Sequence, residues 1–433
     1  MFARALNWAR RRHAVAIAIL GTLACCDCAT LRGDDWPQFR GPTGQGISSD
    51  KNVPTKWSDS ENVAWSVDVA GQGWSSPIVV DDLVVLTRTD ASGANCFITA
   101  FNAADGKERW DINVAQQTVE HKEARNSYAT PTPASDGQRI FATFGGGVIV
   151  AVDLAGSVLW KSEDYGFYSQ HGLAASPIIW QNKLIISRDG SDRTDKPLGW
   201  QKPWNEGYVV ALDTSTGKQI WIHKRTASRI AHTTPIIFYR EDRSPALVSA
   251  AGDVVEVLSP HDGKPLFTYR NKGEGLVPSV VTGGGLAYLA SGWGGEENIK
   301  AIPLKLAGEN EENVALWTQG KSMPHIPSML YDRDRLYSIT ENGIAMSLDA
   351  KTGAIVWQKR FPGSYSASPV LANGHLYFLS DEGKTTVINA SDQLEIVAEN
   401  ELNEPCQASI AIANDSIYIR GTTHLFCIRN PQD

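Results

Sequence analysis

Apolar residues gather along this chain in short β-rich runs bounded by polar turn residues. Ser76-Pro77-Ile78-Val79-Val80 passes through Asp81-Asp82 into Leu83-Val84-Val85-Leu86. Another loop leads to Cys96–Phe101, an Asp/Gly turn and Trp110. Runs of this length and composition predict strands and not helices. Serine, threonine or proline heads recur: Thr130-Pro131, Ser176-Pro177, Thr234-Pro235, Val277-Pro278, Ile326-Pro327, Ser368-Pro369 and, without proline, Ala408-Ser409-Ile410. The head of a strand is where a missing backbone donor is tolerated.

One stretch is repeated more faithfully than the rest. Ala211–Trp221 reads Ala-Leu-Asp-Thr-Ser-Thr-Gly-Lys-Gln-Ile-Trp. It predicts a strand end, a turn in which the Asp213 carboxylate accepts from backbone N–H groups, a positive φ at Gly217, and a second strand with Trp221 to bury. Versions occur at Ala100–Trp110, Ala151–Trp160, Val257–Phe267 and Ser347–Trp357. Weaker ones run from Ala301 to Trp317, stretched by the acidic insert Gly308–Asn313, and from Val387 to Ile396. A period of roughly 40–50 residues points to a propeller or another repeat array.

Counting decides between these. Eight strands carry the Ser/Thr-Pro type of head, and eight carry the anchor residue: Trp65, Trp110, Trp160, Trp221, Phe267, Trp317, Trp357 and Ile396. The first anchor has no unit before it, and the last unit, Glu404–Arg429, has no anchor after it. The chain is therefore expected to be all-β: an eight-bladed propeller of four-stranded blades, closed by the N-terminal strand around Trp65 completing the last blade. The domain limits that follow are an export signal at 1–29, an extended segment at 30–61, the propeller at 62–429 and a tail at 430–433. Residues 34–62, with Trp36, Phe39 and Trp57 but no period, are expected to pack along the outside of the core.

The Ala-x-Asp-x-x-x-Gly-x-x-x-Trp units resemble the tryptophan-docking repeats of the quinoprotein family. That family holds both pyrroloquinoline-quinone (PQQ) dehydrogenases and non-enzymatic PQQ-like propellers of the BamB kind. The opening Trp36-Pro37-Gln38-Phe39-Arg40-Gly41-Pro42 is similar to the leader of planctomycete-type PQQ-like repeat proteins. The resemblance implies the fold for residues from about 62 onward; it does not imply activity, because the repeat builds blades whether or not a quinone is bound. A PQQ alcohol dehydrogenase, as the resemblance describes it, needs a catalytic Asp, a calcium held by Glu and Asn, and a flat aromatic floor. Here Glu274, Asp189, Asp192, Asp195 and Asn126 are scattered singly, and no adjacent cysteine pair lies beyond the leader.

In a four-stranded blade the first and third turns share one face. That face is terse here, with Asp81-Asp82, Gln181-Asn182, Asn373-Gly374 and their equivalents. The opposite face carries the length: the crossings 111–129, 161–175 and 223–232, the loop Arg188–Asn205, and Ser291–Asn298 around Trp293. Long loops with aromatic and polar content are where function concentrates. Residues just ahead of each innermost strand should ring the channel mouth. The candidate ligand-binding residues are Trp74, Arg125, Tyr128, His171, Arg229, His232, Glu274, Trp293, His325 and Tyr365, suited to a planar or polyhydroxylated ligand; a polar plug of side chains and water is the structural alternative. His171, His232 and His325 come from different blades and are expected to act independently, with no metal.

Composition narrows the class further. The net charge of −8 is spread without a basic run, which argues against nucleic acid. Arg4 and Arg10–Arg12 precede the apolar run Ala14–Ala24, a pattern of export and too short for a permanent span. Leu23-Ala24-Cys25-Cys26 approximates a lipoprotein box, so a lipid anchor and ordinary cleavage near Cys28 both stay open. Beyond the leader only Cys96, Cys406 and Cys427 remain, read as small buried hydrophobes, with one disulfide as the alternative. No nucleophile elbow, His-Glu-x-x-His or phosphate loop occurs. The expectation is a monomeric, exported, non-catalytic binding or scaffold module for a protein partner or a small polar or planar ligand, with no cofactor. The alternative is an oxidoreductase of alcohols or polyols using PQQ with calcium.

Overall fold

Asp213 closes the turn of the central repeat by accepting from the N–H groups of Ser215 and Thr216 at 3.1 and 3.0 Å, while Gly217 takes φ +69°. Strand pairing then slips. Ala211 faces Trp221 but Leu212 faces Gln219, a bulge that leaves Ile220 outside the ladder. The same slip falls after Ala100, Ala151, Val257, Ser347 and Val387. A bulge re-aims the adjoining side chain, here the anchor. The small residue opposite the indole in five blades, four alanines and Ser347, leaves room for the ring to lie across the sheet.

The computed structural model describes residues 35–293, 297–304 and 315–431. The expected export signal at 1–29 and the acidic insert Gly308–Asn313 lie outside them. Eight four-stranded antiparallel sheets result. Val63–Asp68 pairs with His424–Arg429, placing Trp65 opposite Cys427, so the last blade takes its outer strand from the N-terminal side. Sharing one sheet between the two ends of the array leaves no unpaired terminal repeat.

Anchor indoles dock on the following blade. Trp65, Trp110, Trp160, Trp221, Trp317 and Trp357 donate their Nε1–H to Ala103, Leu154, Thr214, Pro260, Ala350 and Ser391 carbonyls at 3.0–3.1 Å. In five of these pairs the ring covers the turn glycine itself. A Cβ on Gly106, Gly156, Gly217, Gly263 or Gly353 would come within 2.5–2.9 Å of the indole. The motif glycine therefore serves two needs at once, positive φ and close approach.

Two expectations need correcting. First, residues 36–50 do not run along the outside. Trp36 bridges Val79 of the first blade's inner strand, the Pro37 carbonyl accepts from Ser135 N–H, and Gln38 Oε1 accepts from Ile179 N–H. Gln45 Oε1 accepts from Thr282 N–H, Arg40 donates to the Met329 carbonyl at 2.6 Å, and Ile47 bridges Leu371. The segment makes a circuit of inner strands and plugs the channel, with Trp36 and Arg40 each 1% exposed. Only from Trp57, which stacks on Tyr377, does it follow the blades' flank. Second, three strand heads sit two residues later than expected, at Thr132, Ser279 and Ser328 instead of the 130, 277 and 326 positions. Each then stands two residues before its strand, which opens at Ala134, Val281 or Leu330. Side chains two apart share a face, so a strand pattern cannot tell the two positions apart.

Candidate functional site

The strand heads build a ring. Ser76 in the first blade donates its backbone N–H to Thr132 Oγ1 in the second at 2.9 Å, and Thr132 N–H reaches Ser176 Oγ at 3.0 Å. The relay continues from Ser176 to Thr234, Ser279, Ser328, Ser368 and Ser409, at 2.9–3.1 Å throughout. Seven of the blade-to-blade steps are bridged in this way. Each accepting oxygen is occupied by a neighbouring amide, and its hydroxyl hydrogen meets no protein acceptor among the described residues. The eight hydroxyl side chains line one cavity of about 500 Å³ on the channel axis.

The plug gives that cavity a floor, because Phe39 is among its lining residues. The result is a cup closed toward the terse face and open toward the long loops. Its upper wall is aromatic: Trp74 from the crossing into the first blade, Trp200 from the loop 188–205, and Trp293. His171 contacts both Trp200, edge-on at 6.0 Å between ring centroids, and His232 at 5.8 Å. Burial lowers the pKa of both histidines, and for His232, which also faces His171, it falls to about 3. Both rings are neutral at pH 7. Glu123, Arg125, Asn126 and Glu274 complete the polar content, with the exposed Arg125 guanidinium 6.0 Å over the Trp293 ring.

Of the ten residues singled out in the sequence, six line this cup: Trp74, Arg125, His171, His232, Glu274 and Trp293. The other four are placed elsewhere. Arg229 is 8% exposed and bound to Asp253, Nη2 to Oδ1 at 2.6 Å. Tyr128 lies in a separate small cavity of about 40 Å³, covers Gly93 and donates to the Glu120 carbonyl. Tyr365 is buried and donates to the Pro362 carbonyl. His325 lies behind Trp293, stacked on it at 4.6 Å, with Nδ1 2.6 Å from Glu341. The sequence did not point to Phe39, Glu123, Trp200 or the hydroxyl ring, whereas Asn126, singled out there as a candidate cation ligand, does line the cup. Five of the eight ring residues, Ser76, Ser176, Thr234, Ser368 and Ser409, were visible only as strand heads.

Three of the candidate cation ligands, Asp189, Asp192 and Asn126, are already engaged. Asp189 forms two bonds to the Arg225 guanidinium, at 2.5 and 3.0 Å. Asp192 accepts from the N–H groups of Thr194 and Asp195 in its own loop, and Asn126 donates to the His171 carbonyl. Among the described residues no three His, Cys, Asp or Glu side chains cluster as a metal site would require. Among the described residues the calcium of a quinone site thus finds no cluster of three acidic donors, although the aromatic wall would accept a flat ring. The three thiols Cys96, Cys406 and Cys427 are buried and unpaired.

A family model described as outer membrane protein assembly factor BamB matches residues 47–194 and 309–424. The BamB protein of Salmonella typhimurium is 24% identical over 371 residues, spanning 79% of this chain and 83% of that one. Quinohemoprotein alcohol dehydrogenase ADH IIB of Pseudomonas putida is 23% identical over 185 residues, 41% of this chain and 25% of the enzyme. Among solved structures, BamB from Moraxella catarrhalis superposes with a TM-score of 0.59 at 14% identity, over 86% of this chain and 98% of that one. Quinohemoprotein alcohol dehydrogenase from Comamonas testosteroni reaches 0.65 at 10% identity, over 92% and 82%. At such identities the solved structures speak for the fold alone, and enzymes and non-enzymes share it.

Proposed function

This chain belongs to the family of PQQ-like repeat propellers described as outer membrane protein assembly factor BamB, and from that membership we propose that it is an exported, non-catalytic module that binds a partner or ligand through its long-loop face and channel mouth. One observation carries the reading: the channel is plugged on the terse side, so its aromatic and polar lining is presented to one face only. The relative's name, an assembly factor, fits a scaffold without chemistry of its own. Export is drawn from the basic and apolar leader.

The two faces carry their own reporters. Lys122, Lys196 and Lys202 sit among the long loops, whereas Lys107, Lys218, Lys264 and Lys351 sit in the Asp/Gly turns. Lysine-directed cross-linking in a cell-envelope extract, read by mass spectrometry, should join a partner to the first group. Cross-links confined to the second group would move the binding face. Replacing Trp74 and His232 with Ala should weaken the partner's capture while circular dichroism is unchanged. The quinoprotein reading has a test of its own. Incubation with PQQ and calcium should give neither quinone absorbance on the protein nor dye-linked alcohol oxidation, and either signal would reinstate it.

A further inference from the structure

We infer that the cup is a binding site for the end of a neutral carbohydrate chain. The inference rests on the long-loop face being the binding face and adds the chemical class of what enters it.

The hydroxyl ring supplies the first reason. Because the ring oxygens accept backbone N–H groups from the preceding blade, their hydrogens are left to donate inward. A converging set of neutral O–H donors calls for a ligand dense in acceptor oxygens. The carboxylates of Glu123 and Glu274 supply acceptors nearer the mouth. A ligand that both accepts and donates along its length satisfies the two zones, as sugar hydroxyls and ring ethers do.

The wall supplies the second. Trp74, Trp200 and Trp293 present flat apolar faces beside these polar groups, and the Trp74 indole N–H is buried without a hydrogen-bond partner. Alternating stacking surface and directed hydrogen bonds suits the two-sided chemistry of a pyranose ring better than a purely apolar ligand.

Charge supplies the third. Burial keeps His171 and His232 uncharged, so among the described residues the lining holds one cation, Arg125, against Glu123 and Glu274, with the Arg229 guanidinium 3.9 Å from Glu274. An anionic ligand would meet no electrostatic gain at the cup. The cavity volume of about 500 Å³ lies within the range of small-molecule pockets and admits a short saccharide.

The experiment uses the full chain on an array of neutral oligosaccharides with uronate-containing and sulfated ones beside them, followed by calorimetric titration of the strongest neutral oligosaccharide. Retention of neutral oligosaccharides is expected. Trp200→Ala should weaken the affinity at least tenfold, and Ala174→Phe, which adds bulk to the cavity wall without touching the ring, should abolish it. Both variants should keep the parent's melting transition; if one does not, the other decides. Silence toward every neutral oligosaccharide, retention of the acidic ones alone, or unchanged affinity in a folded variant would overturn the inference. If the array is silent while cross-links still fall on the long-loop lysines, the ligand class fails and the binding face stands. If the cross-links fall on the turns instead, the underlying reading has failed.

Discussion

Trp160 lies over Gly217 of the following blade so closely that a Cβ there would come 2.6 Å from the ring. The indole also donates to the Thr214 carbonyl at 3.0 Å, so one contact fixes the distance and angle between two blades. Gly217→Ala should therefore cost more than backbone strain. A residue forced to positive φ loses about 1–2 kcal/mol, and displacing a packed ring adds about 1–3 kcal/mol. Gly374 offers the control, since it has φ +77° and a Cβ added there would meet nothing within 4 Å. Urea unfolding should show the larger loss for Gly217→Ala and the backbone strain alone for Gly374→Ala. Equal losses would remove the docking contact from the account.

His232 should make the fold acid-sensitive well above the range of carboxylate titration. Its folded pKa of about 3, set by burial and by His171, lies below the ordinary value of 6.5. Between those values the unfolded chain binds the additional proton, so the stabilisation is complete above pH 6.5 and is lost as pH falls toward 3. At pH 5 the loss from this residue is about 2 kcal/mol. His171, also lowered, acts in the same direction. Asp189 and Asp381, raised by burial, act in the opposite one but are common to both proteins compared. Unfolding free energies at pH 7 and pH 5 should differ by about 2 kcal/mol less in His232→Gln than in the parent.

The blades were legible in the sequence because their logic is local and repeated. Ala211, Asp213, Gly217 and Trp221 answer to turn chemistry and packing within eleven positions, and the count of anchors forced Trp65 into the last sheet. The plug was not legible, since residues 36–50 take their hydrogen bonds from seven blades spread over the whole chain and so show no period of their own. The site was legible in part for a related reason. Position ahead of an inner strand placed Trp74 and His171 correctly. Arg229 failed the same rule because its partner, Asp253, lies in a different strand connection and draws the guanidinium away from the axis. Trp200 was missed because a long loop gives no register from which to aim a side chain.

Burial raises the thiol pKa of Cys96 and Cys406 to about 12 and that of Cys427 to about 11. A thiol held that far above neutral pH presents almost no thiolate to an alkylating agent. Iodoacetamide applied to the native protein at about pH 8 should leave all three peptides unmodified by mass spectrometry, and the same treatment in guanidinium should modify all three. Modification of any one in the native state, or a disulfide-linked pair of these peptides, would contradict the packing described for that residue.

Arg40 should hold the plug in place without contributing to the blades. Its Nη2 donates to the Gln45 carbonyl at 2.8 Å and to the Met329 carbonyl at 2.6 Å, while Nη1 reaches the Ser328 carbonyl at 3.5 Å. The first contact closes the segment on itself and the others tie it to the sixth blade. Arg40→Met keeps much of the apolar stem but leaves buried carbonyls without a donor, a loss of about 1.5–3 kcal/mol. Because this energy ties down the plug, it should appear as local opening before global unfolding. Hydrogen exchange at the amides of Trp36, Val79, Ser48 and Leu371, which bond plug to inner strand, should accelerate by a factor of about 10–100. Exchange at Val210 and Leu212, deep in the third blade, should stay at the parent's rate. Uniform acceleration at all of these amides would mean that the plug and the propeller open as one cooperative unit, and that the floor of the cup is as stable as its walls.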